Sequence, residues 1–202
     1  YVGDELRTVA SVIIASDAFL NANIKLRASK ETVTRLEIWD SSENKIVYVS
    51  SFGTESAVIL HIISKVDKNF PIILLNTNFL FDQTLDYKNK LINLFKFENF
   101  LEVFPNNSDL EKFDPNNNLW KKDFEKCCDL RKVQPLDKVL KNYDAWISGR
   151  KSYQGGERRD LRPFESNNGK IVVNPLANFG QKFVDEYFEN HSLPKHPLLD
   201  EG

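Results

Sequence analysis

The segment Phe70–Leu75 (FPIILL) constrains the fold of this chain more than any other. It is a short, continuous apolar run with no polar alternation, the pattern of a strand covered on both faces. Such a strand needs helices on either side of its sheet, and the surrounding sequence supplies them. Lys45–Ser50 (KIVYVS) reads as a β-branched strand, Ser51–Gly53 as a turn, and Thr54–Lys65 as a helix whose apolar positions are Val58, Ile59, Ile62 and Ile63. Asp82–Phe95 continues the alternation as a helix, and Leu101–Phe104, Ala145–Ser148 and Ile171–Val173 as strands, with Phe179–Asn190 a last helix. Alternation of this kind predicts an α/β fold with a mainly parallel sheet flanked by helices.

Other segments are less regular. Asn106–Asn118 predicts a loop with at most a short helix, and Cys127–Tyr143 a helix that Pro135 must kink or restart. Lys151–Asn168 reads as loop and Leu193–Gly202 as an open polar tail. Leu6, Val9, Val12, Ile13 and Leu20 form one stripe at helical spacing, so residues 1–40 are expected to be helical and to pack on the rest. Residues 1–202 are read as a single domain.

Composition narrows the function. At 41% hydrophobic residues the chain can bury a core, and neither Val12–Leu20 nor Pro71–Leu75 approaches the roughly 18–20 apolar residues of a membrane span. The 27 basic and 29 acidic side chains nearly cancel, which argues against nucleic acid or an anionic membrane as partner. Residues 121–162 hold 12 basic against 7 acidic side chains, a local excess suited to a small anionic ligand. A start at Tyr1 with no methionine predicts a fragment of a longer protein. Two cysteines do not make a secreted disulfide scaffold, so the cytoplasm is the expected compartment.

Two motifs carry chemistry. Ser51–Ser56 (SFGTES) joins a strand to a helix, where ligands of parallel sheets bind. Gly53 permits a tight turn, and the following amides with the hydroxyls of Ser51, Thr54 and Ser56 can donate to an anion at the helix N-terminus. The same residues also suit a tight turn and cap with no ligand, and the GK[ST] ending of a Walker loop is missing. Cys127–Cys128 is compatible with two buried small side chains, a vicinal disulfide or a metal site, though two thiolates cannot complete a four-ligand site. Lys126, Arg131 and Lys132 nearby are expected to lower the thiol pKa values, with Lys132 on the face of Cys128 one helical turn on.

Taken in order, SFGTESAVILH at 51–61, CCDLRKVQPL at 127–136, AWISG at 145–149 and VNPL at 173–176 resemble the assimilatory sulfonucleotide reductases, the adenylyl-sulfate and phosphoadenylyl-sulfate reductases. The resemblance runs from about residue 45 to the end. It implies an adenine-nucleotide α-hydrolase-like fold whose SFGTES-type loop (Ser51, Gly53, Thr54, Glu55, Ser56) holds the phosphosulfate. The CC-x-x-RK motif marks members that carry a 4Fe-4S cluster and use adenylyl sulfate, so Cys127 and Cys128 are implied as two of four cluster ligands and Lys132 as an electrostatic catalytic residue. Gly149, Lys151 and Arg158 match the anion-binding stretch after the fourth strand, and Gln154 its glutamine. Arg150, Arg159 and Arg162 are expected to be solvated.

For the whole protein the resemblance implies thiol-dependent reduction of adenylyl sulfate to sulfite and AMP in sulfate assimilation, with thioredoxin or a similar thiol donor; a homo-oligomer is compatible with it. The family's second cysteine pair and catalytic cysteine are expected beyond a stretch like His196–Gly202, so the fragment by itself is expected at most to bind nucleotide. Asn76 and Gln83 stand where family members carry carboxylates, and Ser152 where a second basic residue is common. Alternatives are a phosphoadenylyl-sulfate reductase, a nucleotide-binding module without redox activity and, last, an ATP pyrophosphatase, whose SGG-x-DS loop is contradicted by Phe52 and Glu55. His61 is expected to pack on the helix after the loop, His191 and His196 to lie on the surface, and Trp39, Trp120 and Trp146 to serve packing.

Overall fold

A computed structural model describes residues 24–27, 37–40, 46–151 and 161–199. Strand β1 (Ile24–Arg27) pairs antiparallel with β2 (Glu37–Asp40), Ile24 opposite Asp40. These strands correct the helical expectation for residues 1–40: Ile-Lys-Leu-Arg alternates with period two, which suits a strand and not a helix. The helical stripe from Leu6 to Leu20 lies outside the described residues.

The main sheet is built from β3 (Ile46–Ser50), β4 (Ile72–Leu75), β5 (Phe100–Val103), β6 (Ala145–Ser148), β7 (Phe164–Asn167) and β8 (Lys170–Val173). Their order across it is β5-β4-β3-β6-β8-β7, all parallel except the edge strand β7. β7 falls within the segment expected to be loop; its turn at Asn168 and Gly169, both with left-handed φ, lets the chain reverse onto β8. Between β3 and its neighbours the chain changes direction. It winds outward through β4 and β5, then returns to the other side of β3 as β6. The crevice beyond the carboxyl ends of β3 and β6 is therefore the topological switch point of the sheet.

Helices cover both faces, as the FPIILL run requires. Ile46, Tyr48, Ile72 and Leu74 point into a core shared with α1 (Ser56–Val66), α2 (Asp82–Phe95) and α7 (Gln181–Asn190). Val47 and Ile73 point the other way, onto Leu140 of α6 (Gln134–Leu140). Three short helices precede α6: α3 (Asn107–Phe113), α4 (Leu119–Lys122) and α5 (Phe124–Cys128).

The expected helix through Pro135 exists only by widening. A π-helical turn, Asp129–Val133, links α5 to α6 and places Pro135 in the first turn of α6. Proline has no N–H to give and its ring collides with the carbonyl four residues back, so one wider turn removes both conflicts.

Residues 193–199 are not an open tail. Leu193 and His196 are buried, and Tyr87 of α2 donates its hydroxyl to the Pro194 carbonyl at 2.6 Å. The Leu198 amide donates to His196 Nδ1, so Nε2 carries the proton and donates to Thr84 Oγ1 at 3.1 Å. Burial holds this imidazole below its ordinary pKa. His196 is thus a core residue and not a surface one. No helix among the described residues is long and apolar enough to cross a membrane.

Candidate functional site

At the switch point lies a cavity of about 1200 Å³. Its first wall is the loop after β3, shaped by Phe52 and not by Gly53. Phe52 adopts the left-handed region at φ 52°, and its N–H donates to Ser50 Oγ at 3.1 Å. The ring is fully buried and meets Phe100 edge-on at 5.8 Å. Burying a phenylalanine contributes about 2–3 kcal/mol, enough to offset the roughly 1–2 kcal/mol that a left-handed residue costs.

Gly53 is needed for another reason than the expected tight turn. Its φ is not left-handed, and a Cβ there would meet only Ser51 Oγ at an ordinary 3.8 Å. The space a side chain would take is cavity. The amides of Ser56, Ala57 and Val58 are bonded to the carbonyls of Gly53, Thr54 and Glu55. The expected donation by these first helical amides is therefore not available, and the loop from Ser51 to Thr54 with the Ser56 hydroxyl offers the donors. The Tyr87 hydroxyl, whose one proton goes chiefly to the Pro194 carbonyl, shares it with the Thr54 carbonyl of this loop at 3.3 Å.

The second wall follows β6. Gly149 lines the cavity, as does Lys151, whose buried ammonium is paired with Glu55 from the first wall. Two residues each expected to meet a ligand thus pair with one another. Arg150, expected to be solvated, is tied down: Nε donates to Ser148 Oγ at 3.1 Å and Nη2 to Glu165 Oε2 at 2.6 Å. Asn174 of the VNPL motif completes this corner, donating to the Arg162 carbonyl at 2.8 Å and to Glu165 at 3.1 Å. Gln154, Arg158 and Arg159 lie outside the described residues.

The third wall carries the vicinal thiols. Asp123 caps α5 by accepting from the Lys126 amide at 2.9 Å, which starts the turn that presents Cys127 and Cys128 to the cavity. Both are free, Cys127 buried and Cys128 partly so. The expected lowering of the thiol pKa does not hold for Cys127. Burial pushes its thiol up, Arg131 opposes this, and the neighbouring Cys128 and Asp114 add to the rise. Lys126 has turned to the Phe113 ring, 5.3 Å away. Lys132 is exposed and lines the cavity beside the thiols.

Arg131 supports this wall from behind. It is 1% exposed and donates to Asp114 Oδ2 at 2.6 Å, Asn117 Oδ1 at 2.8 Å and the Thr77 carbonyl at 2.9 Å. Its guanidinium lies 4.1 Å above Phe79. Burial would raise the Asp114 carboxyl, but Arg131 and the amides of Leu119 and Asn118 hold it below the usual range. Sequence reading credited Arg131 only with charge; its partners lie 14 to 54 residues away, beyond any local signal. Trp120, expected to serve packing, stands half exposed at the cavity.

Two adjacent soft thiols on a cavity wall suit an iron–sulfur cluster as half of its ligand set. Among the described residues no group of three or more His, Cys, Asp or Glu side chains could hold a metal. The remaining ligands would have to come from elsewhere.

Asn76, at a position where a carboxylate was expected from the resemblance, has its own carboxylate partner. Its Nδ2 donates to Glu102 Oε1 at 2.6 Å, and Lys88 pairs with Glu102 at 2.9 Å. Burial would raise Glu102, but these two neighbours hold it low. Gln83 is exposed on the first turn of α2.

A mainly parallel sheet with an open site at its switch point defines the class as an α/β protein with a ligand crevice beyond the carboxyl ends of its strands. The phosphoadenosine phosphosulfate reductase domain family matches residues 45–202, and the chain belongs to that family. It is 37% identical over 159 residues to the adenosine 5'-phosphosulfate reductase of Mesorhizobium japonicum, covering 79% of this chain and 63% of that protein. The Chelativorans enzyme of the same name is 36% identical, with 79% and 65% covered. The chain thus spans less than two thirds of these two relatives' length. Against the phosphoadenylyl-sulfate reductase of Candida auris, solved with phosphate, it superposes with TM-score 0.66 at 25% identity, covering 80% and 79% of the two chains. Yeast FAD synthetase, at 11% identity and TM-score 0.58 over 98% of this chain and 62% of its own, shares the fold alone.

Proposed function

We propose that the whole protein reduces adenylyl sulfate to sulfite and AMP with a thiol donor, and that residues 1–202 form its nucleotide-binding domain. The observation that carries this reading is that Cys127, Cys128 and Lys132 face the SFGTES loop across one cavity. The names of its relatives agree with this substrate.

In this reading Ser51, Gly53, Thr54, Glu55, Ser56, Gly149 and Lys151 surround the anionic end of the substrate, and Arg158, outside the described residues, is assigned to it by the resemblance alone. Lys151 exchanges Glu55 for the substrate anion. Lys132 stabilises the negative charge that grows on the departing phosphate oxygen. A cysteine thiolate from sequence outside residues 1–202 attacks the sulfate sulfur; a sulfur–sulfur bond forms, the sulfur–oxygen bond to AMP breaks, and AMP leaves. A donor thiol such as that of thioredoxin then attacks the enzyme sulfur and releases sulfite, leaving a disulfide. Cys127 and Cys128 hold one side of a 4Fe-4S cluster, which when bound supplies charge and positioning and not electrons. The cytoplasm suits this thiol chemistry.

The test is anaerobic purification of the full-length gene product, with iron analysis and a sulfite assay on both nucleotides. About four irons per chain and sulfite from adenylyl sulfate are expected, with turnover lost in Lys132→Ala. An iron-free, folded protein that uses only the 3'-phosphorylated nucleotide overturns the proposal. Binding of AMP with no sulfite from either nucleotide leaves a binding module.

A further inference from the structure

The hydroxyl of Tyr48 makes no hydrogen bond of good geometry among the described residues. Tyr48 sits in the middle of the sheet, on β3 between Ile72 of β4 and Ile147 of β6, and is fully buried. Its ring belongs to the core, but its oxygen is a buried polar atom with no hydrogen-bond partner of good geometry among the described residues. Buried hydroxyls are nearly always satisfied, so one that is not calls for an explanation. The hydroxyls of Ser50 and Ser56 lie beside it and neither makes a well-formed bond with it. The Ser50 hydroxyl is already accepting from the Phe52 amide.

The orphan lies at the candidate site. Tyr48 lines the cavity, and so do Ser50, Ser56 and Gly149 around it. A Cβ on Gly149 would stand 3.5 Å from the phenol oxygen, which therefore reaches up beneath the point where the two anion-binding walls meet. A Cβ there would also meet Ile59 Cδ1 at 3.8 Å, so glycine keeps the space above the hydroxyl free of a side chain from position 149.

From this geometry we infer that Tyr48 is a ligand-contacting residue whose hydroxyl donates to an oxygen of the anionic group held between the SFGTES loop and Gly149. The inference rests on the nucleotide reading above and extends it by naming the donor at the floor of the site. Burial pushes the phenol pKa up to about 12, with Ser50 and Ser56 opposing, so the group remains a neutral donor through the physiological range. A donor of this kind discriminates by shape and acceptor strength. It adds no charge to a corner where Lys151 already has a counterion.

Tyr48→Phe separates the roles, because it deletes the oxygen and keeps the ring. If the hydroxyl serves only the ligand, the variant is as stable as the parent or more so, since an unsatisfied buried polar atom has been removed. Calorimetric titration of the chain with AMP should then show the dissociation constant raised about tenfold, about 1.4 kcal/mol. Adenosine, which lacks the anion, should bind equally to both proteins, and stabilisation by inorganic sulfate should weaken in the variant. An AMP affinity unchanged within about twofold, or an equal loss for adenosine and AMP, overturns the inference. If the parent chain fails to bind AMP, the nucleotide reading falls. The sulfate comparison then decides by itself whether Tyr48 meets an anion: a weaker effect in the variant supports it and an equal effect overturns it.

Discussion

Replacing Arg131 by Met should cost more stability than any other single change near the site. The guanidinium is 1% exposed and makes three hydrogen bonds, to Asp114, Asn117 and the Thr77 carbonyl. Methionine fills much of the volume but leaves the Asp114 carboxylate, 0% exposed, with only the amides of Asn118 and Leu119 at 2.8 and 2.9 Å. Removing one partner of a buried ion pair costs about 3–5 kcal/mol, because the other charge is stranded. Against a total stability of about 5–15 kcal/mol the loss is large. Urea unfolding followed by tryptophan fluorescence reads it directly. Adding Asp114→Asn removes the stranded charge, so the double variant should recover about 2 kcal/mol relative to Arg131→Met. The acid limb should change as well. Asp114 titrates below its ordinary value, so its contribution is complete above about pH 4 and lost as pH falls through the folded pKa; in Arg131→Met that loss should vanish. A cost under about 1 kcal/mol, or strict additivity of the two substitutions, refutes the argument.

Other predictions follow from the same geometry. Gly53→Ala and Gly149→Ala should leave the melting temperature unchanged or slightly raised, because an added Cβ meets nothing closer than 3.5 Å, yet weaken AMP binding about tenfold or more by filling the cavity; equal affinity would show that the vacant space is not used. Asn76→Asp replaces a 2.6 Å donor to Glu102 with a second carboxylate and should cost about 2–3 kcal/mol at pH 7, shrinking as pH falls and the pair takes up a proton. A variant as stable as the parent at pH 7 would remove Glu102 as the reason for asparagine there. Burial, His191 and Lys65 lower the His61 pKa to about 4, so stability is full above about pH 6.5 and falls by about 2–3 kcal/mol as pH drops toward 4. His61→Gln should flatten that decline, and an NMR titration placing His61 near 6.5 would contradict it.

Much of the fold was legible because its elements are repetitive. The helix at Asp82–Phe95 and the strand at Ala145–Ser148 were read with the boundaries the structure shows, since each satisfies one periodicity throughout. The misses have specific causes. Ile24–Arg27 alternates over only four residues and was absorbed into the helical stripe before it. His196 was read as surface because nothing local shows that Thr84, 112 residues earlier, waits to accept its proton. At the site, the cysteine pair, Lys132, Gly149 and the SFGTES loop are legible as motifs, whereas Arg131 reads only as a charge near the thiols and Tyr48 carries no signal. Their significance lies in what surrounds them and not in their spacing.

By itself, the sequence determined the alternation of strand and helix, the two-sided burial of the sheet and the residues that line its open end. These follow from local periodicity and from the chemistry of neighbouring side chains. Only the tertiary structure decided the state of those residues. It paired Glu55 with Lys151 across 96 positions, turned Arg131 inward to Asp114, raised the Cys127 thiol where basic neighbours suggested the reverse, and left the Tyr48 hydroxyl without a partner among the described residues. Burial and through-space charge set protonation and hydrogen bonding, and neither can be counted along a chain.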